Sequence, residues 1–194
     1  MESVSDAGCT TIGSAPGAGE APDDAAGLSP PTTRDAPDGT VAVMRTWTAT
    51  TTAAAHPAAV LDVLTDPGAA ARWAPVPFDV DDLDGERLLA GSRARVSGKL
   101  AGRRVGFQVE VHEADESGIA LSASGAGGTL AFDVDYRLSQ ADCGGSEVRA
   151  SVSVRSGGGL TGRLLAEATG ALLTAGALHA ALGRIAKEAS LSYA

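Results

Sequence analysis

Between residues 91 and 155 the chain alternates apolar and polar side chains with a period of two, run after run, and few architectures accommodate that pattern. Ala94, Val96, Gly98 and Leu100 share one parity, and Arg93, Arg95, Ser97 and Lys99 the other. Val105, Phe107, Val109 and Val111 are set against Arg104, Gln108, Glu110 and His112 in the same way. Ile119, Leu121 and Ala123 form a shorter run, followed by Leu130, Phe132, Val134, Tyr136 and Leu138 against Asp133, Asp135 and Arg137. The last run places Val148, Ala150, Val152 and Val154 opposite Glu147, Arg149, Ser151, Ser153 and Arg155. Successive side chains of a strand point to opposite faces, so each run has one apolar face and one wet face. Turn-forming residues separate the runs at Ala101-Gly102, Asp115–Gly118, Gly125–Gly128 and Asp142–Gly145. The pattern predicts an antiparallel meander.

An apolar sheet face must be buried against something, and the segment after Gly157-Gly158-Gly159 supplies a cover. Residues 160–189 contain no proline and repeat with a helical period. Leu165, Ala168, Leu172, Ala175, His179, Leu182 and Ala186 fall on one stripe, with Leu164, Leu178 and Ile185 beside it. One helix of that length would run about 45 Å. Its middle is poor in bulk, with Gly170, Ala171, Gly176, Ala177, Ala180 and Gly183, and the inward sheet parity has small residues at Ala94, Gly98, Ala123 and Ala150. A closed core is packed at a density of about 0.75. A curved sheet over so thin a helix is expected to leave a cavity instead.

Upstream, Val41–Thr52 is rich in Thr and Val and reads as a first strand. His56-Pro57 opens a short helix, Asp66-Pro67-Gly68 ends it, and a second short helix runs to Trp73. Phe78–Asp84 reads as another strand; whether Trp47 and Phe78 face the core or solvent is left open. The predicted class is α+β: a seven-stranded curved antiparallel sheet wrapped around a long C-terminal helix, with two short helices after the first strand. This domain spans residues 40–190.

Residues 1–39 differ in kind. They hold seven acids against one base (Arg34), Pro16, Pro22, Pro30, Pro31 and Pro37, and few bulky apolar side chains. Such a segment cannot offset its ordering entropy and is expected to be a disordered acidic tail. Most of the chain's net charge of -9 lies there. An acidic chain without a long Lys/Arg stripe is not expected to bind nucleic acid. No run of some 18 uncharged apolar residues suggests an integral membrane segment. The start Met1-Glu2-Ser3-Val4 carries no basic and apolar leader, so a cytoplasmic location is expected. Cys9 and Cys143 are expected to be unpaired thiols, and His56, His112 and His179 are too scattered for a metal site. No cofactor is implied.

Several local motifs are shared with a known group. His56-Pro57-Ala58-Ala59-Val60-Leu61 leading to Asp66-Pro67, then Arg72-Trp73, then Gly91-Ser92-Arg93, then Ser156-Gly157-Gly158-Gly159-Leu160, appear in the order of strand, two helices, strands and helix. Over roughly residues 41–190 the chain resembles the START-like superfamily with its helix-grip fold, the polyketide cyclase/dehydrase and lipid-transport group. The Gly159-Leu160-Thr161-Gly162-Arg163-Leu164-Leu165 stretch is similar to the subgroup of the carbon monoxide dehydrogenase accessory protein. None of these motifs is catalytic. The resemblance implies a deep cavity between sheet and last helix, holding a lipid-, polyketide- or isoprenoid-like molecule. It also allows a cyclase, aromatase or dehydratase-like enzyme, or an accessory protein for a metalloenzyme that would need a protein partner.

Chemistry would require titratable groups on the inward parity. The runs above place no Asp, Glu, His, Lys or Arg there, which favours binding over catalysis. Tyr136 and His179 are the catalytic candidates, able to form an acid/base pair only if they meet. The expected ligand-binding set is Trp73, Phe107, Leu121, Phe132, Tyr136, Leu165, Leu172 and His179.

Overall fold

The structure is a computed structural model and describes residues 44–192 apart from 77, 101, 129, 143 and 158. The disordered tail expected over residues 1–39 and both cysteines lie outside the described residues. The elements are β1 (Met44–Ala53), α1 (Pro57–Thr65), α2 (Pro67–Trp73), β2 (Phe78–Leu83), β3 (Arg93–Leu100), β4 (Arg103–Asp115), β5 (Gly118–Gly125), β6 (Leu130–Gln140), β7 (Ser146–Ser156), α3 (Leu160–Thr174) and α4 (Ala177–Leu191). This is the expected helix-grip α+β fold with its seven antiparallel strands.

The strands lie in the order β1-β7-β6-β5-β4-β3-β2. Strands β2 to β7 form a meander, while α1 and α2 carry the chain from β1 on one edge to β2 on the other. Asp66 lets those two helices follow each other without a loop. It ends α1 by donating its backbone N–H to the Asp62 carbonyl, and it caps α2 by accepting from the Gly68 N–H at 2.8 Å. Pro57 and Pro67 each open a helix, where a missing N–H costs nothing.

The wet parity of the meander is laced with exposed ion pairs, among them Arg155–Asp133, Arg93–Glu110 and Arg137 with Asp135 and Glu113. Each contributes little at such exposure. The apolar parity packs unevenly. At one end α4 and α1 close on the sheet around Val60, Val148, Leu182 and Ile185, all fully buried. Each such side chain contributes roughly 1.5–3 kcal/mol by leaving water.

The single long helix expected over residues 160–189 is two helices, α3 and α4, meeting at 59°. Gly176 makes the break, with φ +91° and ψ 15°, a left-handed conformation that ends one helix and starts another. Gly170 and Gly183 remain helical. Gly170 is there for contact: a Cβ on it would sit 3.4 Å from the Trp47 ring. Small size at that position permits close approach and does not create space.

Candidate functional site

Where α3 swings away from the line of α4, the sheet's apolar face is left facing a cavity of about 320 Å³. Ala94, Val96 and Gly98 of β3, Val105, Phe107 and Val109 of β4, and Leu121 and Ala123 of β5 form its floor. Phe132, Val134 and Tyr136 of β6 continue it. Leu172, Leu173, Leu178 and Ala181 of the last two helices form the roof, and Trp73 with the segment after α2 closes one side. Three lining residues are exposed, and they mark the mouth: Pro75, Lys99 and Leu172, the last 41% accessible.

Six of the eight residues expected from sequence therefore meet around one space: Trp73, Phe107, Leu121, Phe132, Tyr136 and Leu172. Phe107 and Phe132 meet edge to face at 5.3 Å, and Trp73 stands edge-on to Tyr136 at 6.1 Å. Two do not join them. Leu165 is buried in the core beside the cavity and does not line it. His179 is exposed and absent from the lining, so the condition for a Tyr136–His179 acid/base pair, that the two meet, is not fulfilled. The break at Gly176 explains this. It resets the helical phase, so α4 buries Leu178, Ala181, Leu182, Ile185 and Ala189, and His179 lies about 100° round the helix from Leu178.

The two open orientations resolve inward. Phe78 lines the cavity opposite Gly98. Trp47 is paired with Val152 across the sheet, shares its concave face, and donates its indole N–H to Thr174 Oγ1 at 3.2 Å near the end of α3. The expectation of an inward parity without charge also needs correcting. Arg103 lies directly opposite Leu100 in the β3–β4 register, hence on the concave face at the next inward position after Val105. The signal was present in the sequence, since Arg103 continues the parity of Val105 and Phe107.

Hydrogen-bonding capacity inside is nearly all used. Trp73 donates to the Val63 carbonyl at 3.4 Å, Thr169 Oγ1 to the Leu165 carbonyl at 2.8 Å, and Ser97 Oγ to Asp81 at 3.0 Å. The Tyr136 hydroxyl has no partner among the described residues. No fully enclosed polar side-chain atom is left unpartnered, so this hydroxyl borders the cavity space. Burial pushes its pKa well above the ordinary 10.0, because a phenolate there would lose its hydration. It is an O–H donor at physiological pH and not a base. The folded state holds that proton where the unfolded chain releases it. Stability is therefore fully present below pH ~10 and declines above it, by at most about 1.4 kcal/mol per pH unit. Urea unfolding from pH 8 to 11 checks this: the wild-type chain is expected to lose more stability than Tyr136→Phe, and parallel curves would refute it.

No group of three or more His, Cys, Asp or Glu side chains suited to a metal occurs among the described residues. No single described helix is long and apolar enough to cross a membrane.

The model for the family described as polyketide cyclase / dehydrase and lipid transport matches residues 44–190. Among solved structures, the chain is similar to the ZhuI aromatase/cyclase from Streptomyces sp. R1128, at 20% identity and a TM-score of 0.60 over 76% of this chain and 94% of that one. It is also similar to norcoclaurine synthase of Thalictrum flavum (14%, TM-score 0.56, 80% of this chain and 100% of that one). A START superfamily protein of Mycobacterium smegmatis is a further neighbour (17%, TM-score 0.53, 74% and 97%). Identities this low speak for the fold alone. Among curated proteins, none matches the chain in sequence.

Proposed function

This chain belongs to the polyketide cyclase / dehydrase and lipid transport family, and from that premise we propose that it binds a hydrophobic small molecule bearing a carbonyl or hydroxyl oxygen. One observation carries the reading: an apolar cavity of about 320 Å³ with an unspent donor, the Tyr136 hydroxyl, on its wall among the described residues. That volume falls within the range of small-molecule sites, which are mostly apolar with a few polar groups fixing orientation. Phe107, Leu121, Phe132 and Trp73 would enclose the ligand body, and Leu172 would guard the entrance.

Cyclase-type chemistry is the second reading, favoured by the same phenol, since an O–H aimed at a ligand carbonyl can polarise it. Aldol chemistry also needs a proton acceptor. Tyr136 cannot serve, and His179 is outside the cavity. Binding without turnover fits the groups present better.

The test is a matched pair of probes, 2-acetylnaphthalene and 2-ethylnaphthalene, titrated into wild-type protein and Tyr136→Phe. The substitution is expected to weaken the ketone about five- to tenfold, the worth of one neutral hydrogen bond, and to leave the hydrocarbon unchanged. Failure of both probes to bind wild-type protein would end the proposal.

A further inference from the structure

We infer that one end of the domain docks on an anionic lipid surface, with exposed leucines of α3 entering the bilayer interface and Arg103 and Arg163 meeting the headgroups. This goes beyond the binding function proposed above and does not rest on it.

The meander sorts its connections to two ends. Strands β3, β5 and β7 run the same way, so the β3–β4 turn, the β5–β6 connection and the start of α3 share one end. Met44, opposite Arg155, starts β1 there, and Pro75 leads into β2 there, where Phe78 is opposite Gly98. The β2–β3, β4–β5 and β6–β7 connections lie at the other end. Charge follows the same division. The far end carries Asp84, Glu86, Asp115, Glu116 and Asp142. Among the described residues of its connections the one base, Arg87, is paired with Asp62. At the near end the described connecting residues 74–76, 102, 127–128, 157 and 159 include no acid.

Two bases at the near end are uncommitted. Lys99 and Arg104 face the convex side beside Ser97, where Asp81 accepts from the Ser97 hydroxyl and Arg104 reaches the same oxygen at 3.4 Å. Arg103 is opposite buried Leu100 and belongs to the concave side. That is the side α3 covers, and α3 packs against β3 as well as β7. Arg163 lies near the start of α3, about 60° round the helix from Leu160. Both arginines are exposed, and among the described residues neither has a carboxylate within ion-pair distance.

The same end exposes apolar surface. Helix α3 buries Gly162, Leu165, Thr169 and Gly170, and a helix meeting only water would be polar on its other side. Instead that side carries Leu160 at 79% exposure, Leu164 at 69% and Ala171, with Leu172 continuing to the cavity mouth. Met44 adds a side chain 63% exposed. Helix α4 behaves conventionally: it buries Leu178, Leu182 and Ile185 and exposes His179, Arg184 and Lys187. Leucines beside unpaired arginines match a surface that is negative outside and apolar beneath, and the acidic far end orients the domain on it.

Cosedimentation with lipid vesicles tests this. The full chain is expected to bind vesicles of three parts phosphatidylcholine to one part phosphatidylglycerol about thirtyfold more tightly than pure phosphatidylcholine, the preference that two arginines near an anionic surface supply. Added salt should shrink it. Arg103→Gln/Arg163→Gln should remove most of the preference. Leu160→Gln/Leu164→Gln should weaken binding to the mixed vesicles about tenfold or more, whereas Leu89→Gln, at a comparably exposed leucine of the acidic end, should leave it unchanged. Every variant should keep the wild-type unfolding midpoint and affinity for 2-acetylnaphthalene. Equal affinity for the two vesicles, affinity for neither, or a loss in Leu89→Gln matching that of the α3 variant overturns the docking surface and leaves the cavity proposal standing. Vesicle binding by a chain that takes up no neutral probe ends the cavity proposal alone. Binding to soluble polyglutamate as tight as to the mixed vesicles, and indifferent to the two leucines, would assign this end to an acidic protein and overturn the lipid surface.

Discussion

Replacing Gly118 with alanine is expected to lower the free energy of unfolding by about 3–5 kcal/mol. Two costs combine. Gly118 has φ +144°, outside the range of side-chain-bearing residues, and strain of that kind costs of order 1–3 kcal/mol. A Cβ there would also lie 1.8 Å from the Tyr136 carbonyl oxygen and 2.9 Å from the carbonyl carbon, backbone atoms with no rotamer to escape into. Overpacking of that order costs typically 1–3 kcal/mol. Relief requires β5 to part from β6 where Gly118 pairs with Arg137, next to the residue that supplies the cavity's free hydroxyl. Gly127→Ala is the control: φ is +73° but nothing lies within 4 Å of the new atom, so only the left-handed penalty of about 1–2 kcal/mol applies. Chemical denaturation of the two variants decides it. If Gly118→Ala proves no worse than Gly127→Ala, the close approach of β5 to β6 is not as described.

The second large effect concerns binding rather than stability. Ala123→Phe is expected to weaken 2-acetylnaphthalene by a hundredfold or more, about 2.8 kcal/mol, while the unfolding free energy stays within about 0.5 kcal/mol of wild type or rises. Ala123 lies on the cavity floor between Val109 of β4 and Phe132 of β6. A ring added there enters space the fold leaves unfilled, burying apolar surface without displacing anything. Ala150→Phe tests the converse. Ala150 is fully buried between Ala49 and Tyr136 across the strands and does not line the cavity, so added bulk should cost about 1–3 kcal/mol or more. Both residues are alanines of the same inward parity. A Phe at position 123 as damaging to stability as one at position 150 would mean the cavity is closed core.

That pair also shows where the sequence stops informing. Parity placed Ala94, Gly98, Ala123 and Ala150 on one face correctly, yet only the first three border the cavity. The difference lies in what covers each strand, a relation between elements far apart in the chain. His179 failed for a related reason. Extending one helical phase across residues 160–189 assumed a straight helix, and of the glycines at 170, 176 and 183 only Gly176 breaks it. Nothing local separates those three; the Trp47 ring against Gly170 and the bend over the cavity do. Arg103 was legible throughout, but its parity had to be followed to the hairpin's last pair.

The amino-acid sequence by itself determined the sheet, the facing of β3 to β7, the Asp66-Pro67 junction of the short helices and the aromatic wall, because strand parity and capping are settled within a few residues of covalent chain. Tertiary structure alone decided the bend at Gly176, the mouth between Pro75, Lys99 and Leu172, and the isolation of the Tyr136 hydroxyl. Each of these depends on which surfaces distant elements leave uncovered when they pack, and that balance is struck only in the assembled fold.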